Sequence, residues 1–169
     1  MRAYAGLMAF DNIELTRIDG TPDSFDNYRD RVVLVVNVAS RCGLAPQYEQ
    51  LEQLQEKYGP RGFTVLGFPS NQFAQELKTA EDIQEYCSTT WGVTFPMFEK
   101  TKVNGKNKHP IYKELHKAKD SAGLGGPIVW NFEKFLILPG GEVHRFRPPM
   151  KPDDPEIVAL IEGALAKAA

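Results

Sequence analysis

The stretch VVLVVNVASRCGLAPQYEQL, residues 32–51, decides how the chain folds. Its opening run of Val and Leu does not alternate with polar residues, so it reads as a central strand covered on both faces. The run ends in Asn-Val-Ala-Ser, Cys42 follows at once, and Pro46 suits the first turn of a helix. Tyr48, Leu51, Leu54 and Tyr58 then recur at spacings of three and four, which gives residues 46–59 one apolar face. Gly59-Pro60 stops that helix. One of only two cysteines therefore falls between a buried strand and a helix start. The partial positive charge of a helix start favours a thiolate, the nucleophilic form of the residue. The position reads as a reactive thiol; the alternative is a small buried hydrophobe, the role of most free cysteines.

Working outward, residues 13–25 alternate apolar and polar around Asp19-Gly20, a type I′ hairpin signal. FTVLGF (63–68) is a second buried strand, followed by the loop PSNQFAQELK. Thr79 reads as an N-cap with Asp82 three positions on, and Ile83, Tyr86 and Cys87 share one face of the helix it opens. VTFPMF (93–98) is a short extended piece, and Pro110 opens a third helix. Residues 128–148 read as two strands joined at Gly140-Gly141. Asp153 or Asp154 caps a last helix with Pro155 in its first turn. The order is β-hairpin, β, α, β, α, α, β, β, α. Two strands joined through a helix imply a right-handed parallel crossover, and the last two strands an antiparallel edge. The expected fold class is α/β: a thioredoxin-like fold whose mixed central sheet is flanked by helices and preceded by an N-terminal β-hairpin. In such sheets chemistry sits outside the carboxyl ends of the parallel strands, where Cys42 lies. The thioredoxin motif would place a second cysteine three residues on, but that position is Ala45. Cys87 lies far along the chain on a predicted helix, where it either packs or serves as a resolving thiol that meets Cys42 when the helix unwinds.

A chain of 169 residues, 42% apolar and 25% charged, has material for one core, so residues 1–169 are expected to form a single domain. A net charge of −2 without a dense Lys/Arg run excludes a nucleic-acid surface. The locally basic KVNGKNKHP (102–110) reads as a solvated loop. No stretch reaches the roughly 18 apolar residues of a membrane span, and the apolar part of MRAYAGLMAF is too short for a secretory signal, which leads to a cytoplasmic expectation. Two cysteines in a reducing compartment do not make a structural disulfide scaffold. The three histidines, 109, 116 and 144, lack metal-ligand spacing and read as surface residues. No cofactor or metal is expected.

NVASRCGLAPQYEQL, GFPSNQFAQE, WGVTFPMF, VNG, HPIYKEL and WNFEKFLI, in this order over residues 10–167, resemble the glutathione peroxidase family. The resemblance implies reduction of hydroperoxides by attack of Cys42 on a peroxide oxygen, assisted by Gln75, Trp130 and Asn131. Taken alone, Gln75 reads as loop surface, Trp130 as a core aromatic and Asn131 as a turn residue. In the matched motifs they become donors: two amides and an indole N–H that would hold a thiolate and stabilise a leaving alkoxide. Attack leaves a sulfenic acid on Cys42. Thioredoxin-dependent members carry their resolving cysteine in the helix after the FP-x-NQF loop, where Cys87 stands. The resemblance thus implies a Cys42–Cys87 disulfide regenerated by thioredoxin, with glutathione the other possible donor. A short segment, KAKDSAGLGGPIV (117–129), replaces the insertion of tetrameric members and implies a monomer with an open site for bulky hydroperoxides. The chain departs from the family pattern at Ala45, at Ser70 where many members have a cysteine, and in the shortened loop before Gln75. The alternative reading is a peroxide sensor that relays oxidation of the same thiols to a partner protein.

Overall fold

The structure, a computed structural model, describes residues 9–168. The stretch MRAYAGLMAF, considered above as a leader, lies outside them apart from its last two residues. Strands β1 (Glu14–Thr16) and β2 (Pro22–Ser24) pair antiparallel. Their connection spans residues 17–21 rather than a two-residue turn. Gly20 N–H donates to Arg17 O at 2.8 Å, Gly20 takes φ 90°, and Asp19 Oδ1 accepts from Thr21 N at 3.0 Å. The Asp side chain thus closes a wider loop than the Asp-Gly pair alone specifies.

The main sheet has the order β4-β3-β5-β6, with β3 (Val32–Val38), β4 (Phe63–Pro69), β5 (Lys134–Ile137) and β6 (Val143–Phe146). β3 runs parallel to β4 and antiparallel to β5, and β5 and β6 form an antiparallel edge. This is the thioredoxin-like arrangement the element order called for. Every residue of β3 and β4 is buried, which is why neither strand alternates in sequence. Val32, Leu34, Val36 and Val38 face a core shared with helices α1 (Gln47–Tyr58), α2 (Ala80–Tyr86) and α4 (Pro155–Ala168). Val33 and Val35 face a second core with the N-terminal hairpin and α3 (Pro110–Leu115). Each fully buried Val or Leu contributes about 1.5–3 kcal/mol, so one strand anchors both layers.

The capping signals hold. Thr79 Oγ1 accepts from Asp82 N at 3.1 Å, and Asp154 Oδ1 from Glu156 N at 2.9 Å. Two readings are corrected. Residues 128–133 form a turn, not a strand, and pairing begins at Lys134. The histidines are half-buried rather than on the surface. His109 caps α3 by accepting from Ile111 N at 3.1 Å, and His116 Nε2 lies 2.7 Å from Val103 O. Burial lowers the pKa of both. No described helix is long and apolar enough to cross a membrane.

Candidate active site

Cys42 sits in the turn that leads from the carboxyl end of β3 to α1, and it is 6% exposed. The turn closes through Ala45 N–H to Cys42 O at 2.9 Å, and Leu44 N–H donates to Cys42 Sγ at 3.4 Å. α1 begins only at Gln47, so the group that meets the sulfur is a turn amide rather than the helix end. The helix-start argument from sequence is corrected to that extent, because a helix field falls off within its first turn.

The loop after β4 is fastened to this turn. Arg41 N–H donates to Gln75 O at 2.8 Å and Ser40 N–H to Glu76 Oε1 at 3.0 Å. The loop folds on itself through Asn71, whose Oδ1 accepts from Glu76 N at 3.1 Å and whose carbonyl accepts from Ala74 N at 2.9 Å. Ala74 takes φ 59°. A left-handed alanine is the conformational cost of the shortened loop, since one residue must make the reversal. Ser70 is fully buried and its Oγ accepts from Gln72 N at 3.3 Å. Gln72 Oε1 in turn accepts from Val103 N at 2.6 Å and Asn104 N at 2.9 Å, which pins the basic loop against the site.

A third segment, Trp130–Lys134, is held by the one polar residue of β3. Asn37 Nδ2 donates to Trp130 O at 3.1 Å, Asn37 Oδ1 accepts from Glu133 N at 3.1 Å, and Asn37 O accepts from Phe132 N at 2.6 Å. Phe132 is buried at φ 66°, a strained position for a bulky residue. Lys134 Nζ donates to Phe132 O at 2.6 Å and Pro148 O at 3.0 Å. Burial pushes this ammonium down to about 7, against the opposing pull of Glu133. Glu133 is fully buried, bonds Arg145, and lies 2.7 Å from Arg147 Nη1. Those two arginines also bond the carbonyls of Ala118, Leu124 and Pro127, so Glu133, together with Asp120 on Arg147 and Asn104 on Ile128, holds the 118–129 segment.

These three segments bring the expected residues together in part. Asn131 Nδ2 donates to Gln75 Oε1 at 3.3 Å, and Asn131 is fully buried. Trp130 is not a core aromatic: it is 37% exposed, with its ring 5.3 Å from that of Phe73. Cys87 is 2% exposed, at the junction of α2 with a π turn, Cys87–Trp91. Cys42 and Cys87 are both free thiols. Burial pushes the Cys87 thiol up to about 11; the Tyr48 hydroxyl opposes that shift and the charge of Glu76 adds to it.

The glutathione peroxidase family model matches residues 10–116. A thioredoxin/glutathione peroxidase of Escherichia coli (strain K12), BtuE, is 47% identical over 171 residues, covering 89% of this chain and 93% of its own. The chain belongs to the glutathione peroxidase family. It is a thiol peroxidase. A hydroperoxy fatty acid reductase of Synechocystis is 47% identical over 155 residues, covering 88% of this chain and 90% of its own. The crystal structure of Trgpx in its apo form has a TM-score of 0.73 at 36% identity, covering 96% of this chain and 98% of that one.

Sequence reasoning missed Asn37, Glu76, Glu133 and Lys134, which hold the segments around Cys42 in shape. Asn37 had a signal, being the lone amide in an unbroken apolar run. Each of the others has at least one partner far along the chain, Ser40 for Glu76, Arg145 for Glu133 and Pro148 for Lys134, which no local pattern announces.

Two outcomes follow from this geometry. Glu133→Ala leaves Arg145 buried without its counter-charge and is expected to cost about 3–5 kcal/mol, read from the denaturant midpoint; a loss below about 1 kcal/mol would show that the arginines are satisfied by carbonyls alone. Ala74→Gly relieves a left-handed strain of about 1–2 kcal/mol and gives back about 0.4–1 kcal/mol to the unfolded chain. It should therefore raise stability by about 0.5–1 kcal/mol, measured by thermal melts, and a lowered melting temperature would contradict the strain.

Proposed function

We propose that Cys42 is the attacking residue and that Gln75, Trp130 and Asn131 are its donors. The thiolate attacks the distal oxygen of R–O–OH. An S–O bond forms, the O–O bond breaks, and the alkoxide leaves as R–OH once protonated. Amide and indole N–H groups meet the developing charge. Cys42 is left as a sulfenic acid. The Cys87 thiol then condenses with it, giving a Cys42–Cys87 disulfide and water, and a dithiol reductant restores both thiols. The observation that best supports this reading is the bond joining Asn131 to Gln75, whose own backbone is tied to the residue before Cys42.

The helix that carries Cys87 is suited to opening. α2 has seven residues, buries only Ile83 fully, and runs into a π turn. The π turn already breaks the regular backbone ladder where the helix would have to open. The substrate we favour is an organic hydroperoxide with an apolar tail. Trp130 at 37% and Val129 at 58% exposure present an apolar rim next to the site, and the Synechocystis relative is named for hydroperoxy fatty acids. The reductant we favour is thioredoxin. A second thiol turns the oxidised enzyme into a disulfide, the form a dithiol protein reduces, and the E. coli relative is named for thioredoxin as well as glutathione.

Cys42→Ser is expected to abolish hydroperoxide reduction, followed as NADPH oxidation coupled to thioredoxin and thioredoxin reductase. Activity within several-fold of wild type would refute the assignment. Cys87→Ser is expected to consume one equivalent of peroxide per chain and then stall with thioredoxin. Undiminished steady-state turnover would remove the resolving role.

A further inference from the structure

Beside the Cys42 turn and against Cys87 lies a group of buried oxygens that the scheme above leaves idle. Ser40 Oγ, Tyr48 Oη and Glu76 Oε2 are shut off from solvent and lack a hydrogen-bond partner of good geometry. Buried polar atoms are nearly always well paired, so three that meet only loosely placed neighbours, Ser40 with Glu76 and Tyr48 with Cys87, call for an explanation. Tyr48 is fully buried on α1. Its hydroxyl lies against Cys87, close enough that each shifts the titration of the other. Glu76 acts on both of them through its charge. Its other oxygen is fixed, accepting from Ser40 N at 3.0 Å and from Leu77 N at 2.7 Å. Ser40 precedes Cys42 by two residues, and Glu76 follows Gln75 directly. One carboxylate is thus anchored on the Cys42 side of the site, with its second oxygen buried and only loosely held.

We propose that Tyr48 and Glu76 form a proton path that takes the proton from Cys87 and delivers it to the oxygen leaving Cys42. The inference rests on the two-thiol reading above. Tyr48 touches the Cys87 sulfur, and Glu76 joins Tyr48 to the Cys42 side of the site. As Cys87 sulfur attacks the sulfenic acid, its electron pair forms the S–S bond and the S–O bond of Cys42 breaks, releasing hydroxide. The Cys87 proton passes to Tyr48 Oη while the hydroxyl proton of Tyr48 passes to Glu76 Oε2, through a hydrogen bond that these two loosely held oxygens form as the turn at Cys87 moves. Glu76 then protonates the hydroxide, which leaves as water. Both relay groups end as they began, and no outside reactant is consumed. The need for such a path is plain: with its thiol raised to about 11, Cys87 is a thiolate in only ~1 part in 10⁴ near neutral pH. The carboxyl of Glu76 is raised by burial, opposed by Ser40, the Leu77 N–H and the charge of Lys100. Tyr48, raised by burial and by Cys87, Glu76 and Tyr86, stays a neutral hydroxyl able to pass a proton.

The test uses wild type, Glu76→Gln and Tyr48→Phe as full chains, with melting temperatures to establish folding. Each is mixed with one equivalent of hydrogen peroxide and quenched in time. Mass spectrometry then counts sulfenic acid, trapped by dimedone, and disulfide. In both variants disulfide closure is expected to slow at least tenfold more than oxidation of Cys42 does, so the sulfenic acid accumulates. In wild type, closure should rise with pH through a carboxyl titration and then level. In Glu76→Gln that limb should vanish, and the rate should climb about tenfold per pH unit toward the thiol pKa of about 11. Glu76→Asp should recover part of the wild-type profile. Closure at the wild-type rate, closure and oxidation slowed by the same factor, or an unchanged pH profile in Glu76→Gln would each overturn the relay. If wild type itself forms no Cys42–Cys87 disulfide, the two-thiol reading fails first and the relay falls with it.

Discussion

The site depends on three hydrogen bonds made by one amide, Asn37, in a strand that is otherwise wholly apolar. Its side chain and carbonyl hold Trp130, Phe132 and Glu133 against the end of β3. The same strand ends in the turn that carries Cys42. A single rigid element therefore fixes both the thiol and the segment that bears two of its proposed donors. An amide in that place is costly to bury unless every polar atom is paired. Asn37 meets the condition with bonds from both ends of its side chain. That is why the strand can carry it, and why Val or Leu could not replace it without releasing the 130–133 turn.

Two backbone positions show where the constraint is felt. Phe132 and Ala74 both occupy the left-handed region, and each stands next to a proposed donor, Asn131 or Gln75. The strain persists because the surroundings over-determine it. Phe132 is clamped by Asn37 from one side and Lys134 from the other, and Ala74 is closed by Asn71. Behind them Glu133, Arg145, Arg147 and Asp120 form a network in which carbonyls take up the remaining guanidinium protons. A buried ion set of this kind is a weak source of net stability but a strong source of geometric uniqueness. Here it fixes the path of the segment that leads into Trp130.

How much was legible follows from the range of each interaction. β3, β4 and their helices were readable because full burial leaves an unbroken apolar run and a 3.6-residue face, both local signals. The caps at Thr79 and Asp154 were readable for the same reason. The Asp19-Gly20 turn was mis-sized because a side-chain bond to Thr21 competes with the tight turn. The strand expected from Ile128 begins instead at Lys134, because Asn37, 93 residues from Trp130, holds the chain in a turn. Nothing near Trp130 in sequence announces that. Cys42 could be suspected from its place in the chain, but Gln75, Trp130 and Asn131 entered through the family resemblance alone. Single amides and an indole carry no periodic signal.

The two cysteines differ in a way that orders the proposed chemistry. Cys42 lies in a turn whose amide reaches its sulfur, at the end of the strand that also holds the donor loop. Both lie in the same core, but Cys87 sits against an aromatic hydroxyl and within the field of a carboxylate, and its thiol keeps its proton. A low thiolate fraction makes the second sulfur a poor target for peroxide, since the thiolate is the form that reacts. It also makes it slow to attack anything until its proton is removed. The retained proton therefore protects Cys87 while Cys42 is still reduced, and sets the problem that the proposed Tyr48–Glu76 path would solve. The same desolvation accounts for both halves, because it also raises the Glu76 carboxyl and so makes that group a better acceptor for the proton that Cys87 must lose.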